Sequence, residues 1–405
     1  MAGKMDNKNT GIDIAGLQEK YVLKTYSFSP PIIFVKGAGA YLKDSTGKRY
    51  LDFSSGISVC NLGHCHPAVT AAIRRQAGKL VHVSNLFMNS RQPELAWKLV
   101  SHCFDGAAFF CNSGAEANEG LIKFARKWGN PTGRNEIIVM KESFHGRTLA
   151  TLAATGRSKY REGFQPDMPG FVHVLFNDFE AAASAVGPRT AAIMLEPVQG
   201  EGGVIPADKA YLEKIRKLCD EKGILLLFDE VQCGMGRTGS FFAWQSYGVG
   251  PDGLSLAKAL GNGFPIGAFI LKRKFENVLV PGTHASTFGG TALACAAACA
   301  VIDAIDRENI LLNCSEQSVY LMRKLGELAG KYTAIRSIRG RGLMIGLVLD
   351  VPASEIRKVA SENGLLVLTA GDNVLRLLPP LTISVKETDK AIKILDKCFK
   401  KVKGS

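Results

Sequence analysis

The sequence of 405 residues lacks the features that mark membrane proteins and zinc-binding modules. It has no uninterrupted apolar run close to the roughly 20 residues that a membrane-spanning helix needs. Its ten cysteines form no C-x-x-C pair, the spacing usual in zinc modules, and disulfide frameworks belong to short secreted chains. We therefore expect no membrane segment, and we expect most cysteines to be small buried side chains in a reducing compartment.

One cluster of metal-binding residue types does occur, in the segment CNLGHCHP at 60–67. His64, Cys65 and His66 are adjacent, so on a strand their side chains would alternate between faces and would not converge on one ion. The sequence therefore predicts no metal site.

The first twenty residues lack both an apolar segment and arginine, and they contain Asp6, Asp13 and Glu19. A secretory signal needs the apolar segment, and a mitochondrial leader is rich in arginine and poor in acidic residues. We therefore predict a cytoplasmic protein.

Signs of nucleic-acid binding are also scarce, although the formal net charge is +13. Lysine and arginine are scattered, and the only basic cluster is the terminal KCFKKVKGS. No basic stripe interleaved with aromatic residues is present, so the charge favours a solvated basic surface and predicts no nucleic-acid partner.

What the chain does have is a series of short, continuous apolar runs that alternate with helical segments. Continuous rather than alternating apolar strands are buried on both faces, as in a mainly parallel sheet covered by helices. The sequence predicts seven such strands, at 107–110, 136–140, 172–176, 191–195, 224–228, 253–257 and 266–271.

The two ends of the chain have a different pattern, which predicts a small α+β domain beside the large α/β one. Residues 32–53 form a predicted β-meander, and the tail from about Thr333 returns to strands and helices, with Ser384 as the N-cap of the last helix. We predict an N-terminal segment at 1–65, a large domain at 66–310 and a C-terminal segment at 311–405.

Two charged residues follow buried strands directly. Asp229 ends the run ILLLF, and Lys258 follows GLSLA. A carboxylate at a strand end is costly unless a cation meets it, and a desolvated lysine has the lowered pKa that Schiff-base formation with an aldehyde requires. If each residue stood alone, Asp229 would be interpreted as a turn cap and Lys258 as a surface residue. Their pairing about thirty residues apart favours a shared site.

Two further segments add an anion site and an aromatic platform. In FFCNSGAEANEG a strand ends and a helix starts near Ser113, Gly114 and Ala115, so its free amides could bind phosphate. This turn has neither G-x-G-x-x-G spacing nor a P-loop lysine. In SFHGRT, Phe144 could stack on a ring and Arg147 could bind a carboxylate, although a packed Phe and a surface Arg are the simpler interpretation.

These features match pyridoxal phosphate part by part: an anion cradle, a ring platform, an acid and an amine. The chain also resembles the class III aminotransferases from about Tyr41 to Ser384. The motifs that carry the resemblance are GHCHP, NSGAEANE, FHGRTLATLAATG, LEPVQGEGG, FDEVQCGMGRTG, LAKALGNGFPIGA, HASTFGGTALACA and VLRLLPPL. The resemblance implies the fold-type I architecture, pyridoxal 5'-phosphate as cofactor, and a homodimer with shared active sites.

The resemblance also implies a role for each matching residue. Lys258 would hold the cofactor covalently and move the proton, and Asp229 would keep the ring nitrogen protonated. Phe144 and Val231 would lie on the two faces of the ring, with Gln232 near its hydroxyl, and Thr287 would reach the phosphate from the neighbouring subunit. The implied cofactor-binding set is Ser113, Gly114, Ala115, Phe144, Asp229, Glu230, Val231, Gln232, Lys258 and Thr287.

For the substrates, the resemblance implies carboxylate clamps at Arg147 and Arg376, with Ser286 beside the substrate. Glu201 would neutralise Arg376 when the amine donor has no carboxylate there, and would release it for 2-oxoglutarate, so that one pocket accepts both substrates.

Within the class, the chain is most similar to the acetylornithine group. This implies transfer of the terminal amino group of N2-acetyl-L-ornithine to 2-oxoglutarate. Ile57 lies about where ornithine enzymes have a tyrosine, which favours N-acylated donors or 4-aminobutyrate. Thr291 replaces the usual Asn at a helix start, a change that affects capping rather than catalysis.

Several alternatives stay open at this point. Other donors are 4-aminobutyrate, ornithine, succinylornithine and lysine precursors. An aminomutase would use the same lysine, but it needs no switching clamp for a second acidic substrate. A basic scaffold protein would leave the arrangement of Asp229 and Lys258 without a purpose.

Overall fold

The computed structural model describes residues 13–28 and 31–403. Asp6, one of the acidic residues that argued against a leader sequence, lies outside these ranges. Among the described residues, no helix combines the length and apolar character needed to cross a bilayer.

The described chain contains α-helices and β-strands, with short 3-10 turns between some of them. The helices are α1 (Ile14–Tyr21), α2 (Ser55–Ser58), α3 (Pro67–Ala77), α4 (Arg91–His102), α5 (Gly114–Gly129), α6 (Leu149–Ala154), α7 (Ser158–Arg161), α8 (Phe179–Ala185), α9 (Lys209–Lys222), α10 (Ala292–Arg307), α11 (Ile310–Lys331), α12 (Ala353–Glu362) and α13 (Val385–Lys403). The strands are β1 (Phe34–Ala38), β2 (Tyr41–Asp44), β3 (Arg49–Asp52), β4 (Gly106–Cys111), β5 (Glu136–Met140), β6 (Phe171–Val174), β7 (Thr190–Leu195), β8 (Val198–Gln199), β9 (Ile205–Pro206), β10 (Leu225–Asp229), β11 (Gly253–Leu256), β12 (Gly267–Lys272), β13 (Ile335–Arg341), β14 (Met344–Leu349), β15 (Leu365–Leu366), β16 (Leu368–Thr369) and β17 (Val374–Leu377).

A seven-stranded sheet forms the centre of the molecule, in the order β4-β12-β11-β10-β7-β5-β6. All seven predicted strands are present. Strand β12 runs antiparallel to both of its neighbours, and the other six strands share one direction. Strands β7 and β10 are buried along their whole length, because helices cover both faces of the sheet. The predicted α/β fold is confirmed.

Two smaller four-stranded sheets, β1-β2-β3-β15 and β13-β14-β17-β16, contain the strands near the two ends of the chain. In the first sheet, Leu365 pairs with Leu51, so the N-terminal meander and the C-terminal segment share one sheet. The last helix also begins as predicted, because the Ser384 hydroxyl accepts from the Glu387 amide and the Glu387 carboxylate accepts from the Ser384 amide.

A buried arginine joins the N-terminal segment to the C-terminal one. The Arg237 side chain, fully buried, donates to Ser58 Oγ at 3.0 Å, to the Leu343 carbonyl at 3.0 Å and to the Pro379 carbonyl at 2.6 Å. Ser58 closes α2, a single turn with left-handed backbone in which even Ile57 has a φ of 65°. A β-branched residue in this region is strained, so the surrounding hydrogen bonds must hold the turn in place.

The histidines of the cysteine- and histidine-containing segment have carboxylate partners. His64 Nε2 lies 2.7 Å from Asp52 Oδ2, and His66 Nε2 lies 3.2 Å from Glu308 Oε2. No group of three metal-binding side chains converges within the described ranges.

Candidate active site

A cavity of about 440 Å³ opens at the carboxyl ends of the central strands, where ligands of open α/β sheets bind. It lies where β4, β10 and β11 end and α5 begins. Nine of the predicted site residues line it: Ser113, Gly114, Ala115, Phe144, Arg147, Asp229, Val231, Gln232 and Lys258.

The Asp229 carboxylate, at the end of β10, is held by four donors. Oδ2 accepts from Asn118 Nδ2 at 2.7 Å and from His145 Nδ1 at 2.8 Å. Oδ1 accepts from the Val231 amide at 3.0 Å and from Ser255 Oγ at 3.5 Å. A carboxylate fixed in this way presents its negative charge to the cavity in one orientation.

His145 is the buried partner of Asp229 behind the cavity. Burial alone would lower the pKa of His145, but the hydrogen bond and the charge of Asp229 outweigh burial and raise it. The contact between His145 Nδ1 and Asp229 Oδ2 therefore helps to fix the direction of the Asp229 carboxylate.

A second buried carboxylate, Glu196, follows β7 and also lines the cavity. Its oxygens accept from the amides of Phe144 at 3.0 Å and Gly200 at 3.1 Å. Burial raises the pKa of Glu196, and the nearby Asp229 adds to that effect. Glu196 therefore orients two loops of the site and has a weakened tendency to ionise.

Lys258 stands at the start of the turn that follows β11, with a positive φ of 47°. This strained backbone directs a half-buried amine toward the cavity. Burial lowers the pKa of Lys258, and the charge of Arg376 acts in the same direction, although Glu201 and Asp229 oppose them. A lower pKa increases the neutral, nucleophilic fraction of the amine.

The start of α5 forms an anion-binding cradle. Ser113 caps the helix through a hydrogen bond from the Glu116 amide at 3.2 Å, and the described contacts leave the amides of Gly114 and Ala115 without a partner. A Cβ on Gly114 would lie 2.7 Å from Val231 Cγ1, so only glycine lets the helix end approach the strand-end loop. Free amides at a helix N-terminus bind a phosphate dianion.

Phe144 and Arg147 border the cavity on one side. The Arg147 guanidinium lies over the rings of Tyr160 at 4.2 Å and Phe144 at 5.6 Å. Arg147 forms no ion pair with any described residue, so its charge is available to a carboxylate that enters the cavity.

Arg376, on β17, is almost fully buried and pairs with Glu201. Its Nη1 donates to Glu201 Oε1 at 2.7 Å and to Gln232 Oε1 at 3.1 Å. Gln232 thus connects the cavity to the ion pair. A buried guanidinium whose carboxylate partner can move away is suited to bind the carboxylate of an acidic ligand instead of that partner.

Five predicted residues do not line this cavity: Glu201 and Arg376, which form the ion pair beside it, and Glu230, Ser286 and Thr287. The Glu230 side chain points away from the cavity, because neighbouring residues after a strand point in opposite directions. Its carboxylate accepts from the amides of Ala243 at 2.6 Å and Trp244 at 2.8 Å, and burial raises its pKa to about 8. Ser286 accepts from Asn112 Nδ2 at 3.4 Å at the edge of the site, and Thr287 lies beyond it.

Sequence reasoning missed Asn118, His145 and Glu196. Glu196 follows a buried strand directly, which is the signal that identified Asp229. Asn118 lies one helical turn after Gly114, so it shares the face of α5 that meets the cavity. His145 follows Phe144 in a motif already assigned to the site.

The profile of the family Aminotransferase class-III matches residues 24–399. The chain belongs to the class III aminotransferases. One relative of this class III chain, the acetylornithine aminotransferase of Gloeobacter violaceus, is 50% identical over 387 residues, which are 94% of this chain and 96% of the relative. The acetylornithine aminotransferase of Methanocaldococcus jannaschii is 51% identical over 390 residues, which are 96% and 98% of the two chains.

Among solved structures, an ornithine aminotransferase from Toxoplasma gondii superposes on this class III chain with a TM-score of 0.93 at 34% identity, covering 96% of this chain and 94% of that one. That structure is described as having partial occupancy of pyridoxal phosphate at its active site.

Class III aminotransferases use pyridoxal 5'-phosphate, and the residues of this cavity fit it. The Gly114 cradle, which a Cβ would fill, suits the phosphate, and the fixed Asp229 carboxylate suits a protonated ring nitrogen. Lys258 offers an amine of lowered pKa to an aldehyde. When bound, the cofactor supplies that aldehyde and an electron-withdrawing ring.

Proposed function

We propose that this aminotransferase moves the terminal amino group of N2-acetyl-L-ornithine to 2-oxoglutarate, giving N-acetylglutamate 5-semialdehyde and glutamate, as part of arginine metabolism. The hydrogen-bonded pair of Arg376 and Glu201 carries the proposal. A donor that has no carboxylate beside its reacting amine meets an Arg376 whose charge Glu201 neutralises. A dicarboxylic acceptor meets a free Arg376 once Glu201 has moved. The names of the two relatives at about half identity support the choice of donor.

In this proposal each cavity residue performs a separate task. Lys258 Nζ would take the proton from the amine-bearing carbon of the donor and would hold it for the later part of the transfer. Asp229, held by Asn118 and His145, keeps a proton on the ring nitrogen. Arg147 binds the carboxylate that both substrates share.

The remaining cofactor contacts follow from the walls of the cavity. The amides of Gly114 and Ala115, with Ser113, bind the phosphate. Phe144 and Val231 enclose the ring between them.

The proposal includes a homodimer in which Thr287 reaches the phosphate of the neighbouring subunit. An exposed apolar patch beside Thr287 supports it, since a solvent-exposed patch of this kind marks an interaction surface. The patch consists of Leu86, Phe87, Met88 and Phe288, exposed by 86%, 69%, 98% and 62%. Ser286, next to Thr287, would lie beside the substrate.

The division at 1–65, 66–310 and 311–405 also remains a proposal. It is supported by the large sheet, whose strands all fall between 106 and 272. A cytoplasmic location stays a prediction from the sequence.

A panel of amine donors tests the substrate, with 2-oxoglutarate as the common acceptor. We expect the highest kcat/KM for N-acetylornithine, ahead of succinylornithine, ornithine, 4-aminobutyrate and lysine precursors. Formation of glutamate is measured by a coupled assay. A higher kcat/KM for 4-aminobutyrate or ornithine would replace the proposed donor but leave the class of reaction unchanged.

The Lys258→Ala variant tests the site itself. Wild-type protein incubated with pyridoxal phosphate should gain visible absorbance that resists dialysis, because the cofactor is held covalently. The variant should lose this resistance and lose activity by at least about a thousandfold, the scale of a missing proton-transfer group. Full activity in the variant would refute the role of Lys258.

A further inference from the structure

Arg339 on β13 is a half-buried cation beside the loop that carries Glu201. Its Nε donates to the carbonyl of Gly203 at 2.9 Å. Among the described residues no carboxylate pairs with it. Burial lowers the pKa of Arg339, and no acidic neighbour offsets this effect. A partly desolvated guanidinium with only a carbonyl partner is an incomplete arrangement, which a carboxylate would improve.

The register of the small sheet places Arg339 and Arg376 on the same face. Gly346, on β14, pairs with Arg339 on one side and with Arg376 on the other. Directly opposed residues point to the same face of a sheet, and strands lie about 4.8 Å apart, so the two arginine backbones are about 10 Å apart.

The loop that carries Glu201 lies across the gap between the two arginines. Gly346 has no side chain, and a Cβ there would lie 3.3 Å from the Gly203 carbonyl oxygen. Two glycines directly follow Glu201 in the sequence, and the second, Gly203, has a φ of 116°. Glycines allow a loop to change its backbone angles at small cost.

We propose that Arg339 is the second ion-pair partner of Glu201: when the carboxylate next to the keto group of 2-oxoglutarate binds Arg376, the displaced Glu201 carboxylate turns to Arg339. This inference rests on the proposed function, which requires Glu201 to leave Arg376. Arg339 is then a positioning residue that favours the acceptor-binding state without touching the acceptor.

Lys258 is the competing destination, since the charge of Glu201 already acts on it. In the loaded enzyme, however, the Lys258 amine is needed for the cofactor and for proton transfer. If Glu201 nevertheless moves to Lys258, a change at Arg339 will not affect acceptor binding.

A double-mutant cycle with Arg339→Gln and Glu201→Gln tests the inference on the cofactor-loaded protein. The probe is glutarate, a five-carbon dicarboxylate without the reactive keto group, and its Kd is measured by isothermal titration calorimetry. Glutamine at position 339 keeps an N–H donor for the Gly203 carbonyl and removes only the charge. Arg341→Gln is the matched control, because Arg341 lies on the same strand and donates to the carbonyl of Ser246.

We expect Arg339→Gln to raise the Kd of glutarate by about tenfold, a typical coupling between a switch and a ligand site. In the Glu201→Gln background the same change should alter the Kd by less than about twofold, because no carboxylate needs a new partner. Arg339→Lys should restore most of the affinity, and Arg341→Gln should leave it near the wild-type value.

Two results would overturn the inference. An equal loss of glutarate affinity in both backgrounds would mean that Arg339 acts by general charge or by supporting the loop. An unchanged Kd in Arg339→Gln would mean that Glu201 goes elsewhere. The donor panel fails or succeeds independently, because glutarate binding does not depend on which amine is the natural donor.

Discussion

At the scale of single residues, Asn118 connects the groups around Asp229. Its Nδ2 donates both to Asp229 Oδ2 and to the carbonyl of His145, each at 2.7 Å, and its Oδ1 accepts from Ser255 Oγ at 2.6 Å. Every polar atom of this buried amide has a partner. Asn118 therefore fixes the direction in which the Asp229 charge acts.

This arrangement predicts different effects for two substitutions. Asn118→Asp should lower kcat by at least about tenfold, or about 1.4 kcal/mol of transition-state stabilisation, because a second carboxylate beside Asp229 would compete for its donors and repel its charge. Asn118→Ala removes donors without adding charge and should cost less. Steady-state kinetics with saturating cofactor measures both. Equal losses would show that packing, not charge, is what matters at this position.

The site residues could be predicted from the sequence only where a local rule applied. Asp229 and Lys258 follow strands that are apolar throughout, so their place at the sheet edge could be inferred. Glu230 is next to Asp229 in the chain, but its side chain turns away to cap a turn at Ala243. The partner of Asp229, His145, comes from another strand end, and no local pattern indicates that contact.

At the scale of elements, the start of α5 depends on the absence of a side chain at Gly114. A Cβ would lie 2.7 Å from Val231 Cγ1 and 3.5 Å from Ala257 Cβ. The helix end would have to move away from the strand ends, and its amides would move with it.

We therefore predict that Gly114→Ala raises the Kd for pyridoxal phosphate by about tenfold, or about 1.4 kcal/mol of binding free energy. Fluorescence titration of the apoprotein measures the Kd. Gly187→Ala is the matched control, because no atom lies within 4 Å of a Cβ there. Unchanged affinity in Gly114→Ala would mean that the cradle tolerates the shift.

Elements were more predictable than single contacts, for a physical reason. Strands buried on both faces have continuous apolar sequences, so all seven strands of the large sheet could be located. The reversed direction of β12 and the left-handed turn at α2 could not be predicted. Direction depends on pairing with distant strands, and the turn depends on hydrogen bonds from the buried Arg237 to Ser58.

At the scale of the whole molecule, strand order assembles the site. Strands β4 and β11 flank β12 in the sheet, so the turn at Ser113 meets the turn at Lys258 although 145 residues separate them. A Cβ on Gly267, in β12, would lie 2.3 Å from the Ser113 carbonyl oxygen. The cavity therefore forms only when the central sheet is complete.

The proposed dimer leads to a test by subunit mixing. Lys258→Ala and Thr287→Glu should each be nearly inactive, the second because a carboxylate would repel the phosphate. If Thr287 serves the neighbouring subunit, each mixed dimer has one intact site. Random reassociation should then restore about a quarter of wild-type activity, because half of the dimers are mixed and each has one of two sites.

Mixing Lys258→Ala with Asp229→Asn is the matched control for this experiment. Lys258 and Asp229 line the same cavity of one chain, so a mixed dimer of these two variants has a damaged residue in each site. Activity is measured after joint unfolding and refolding, and analytical ultracentrifugation verifies that dimers have formed. Recovery in the first mixture but not in the second supports a shared site. If neither mixture recovers although dimers form, Thr287 does not act across the interface.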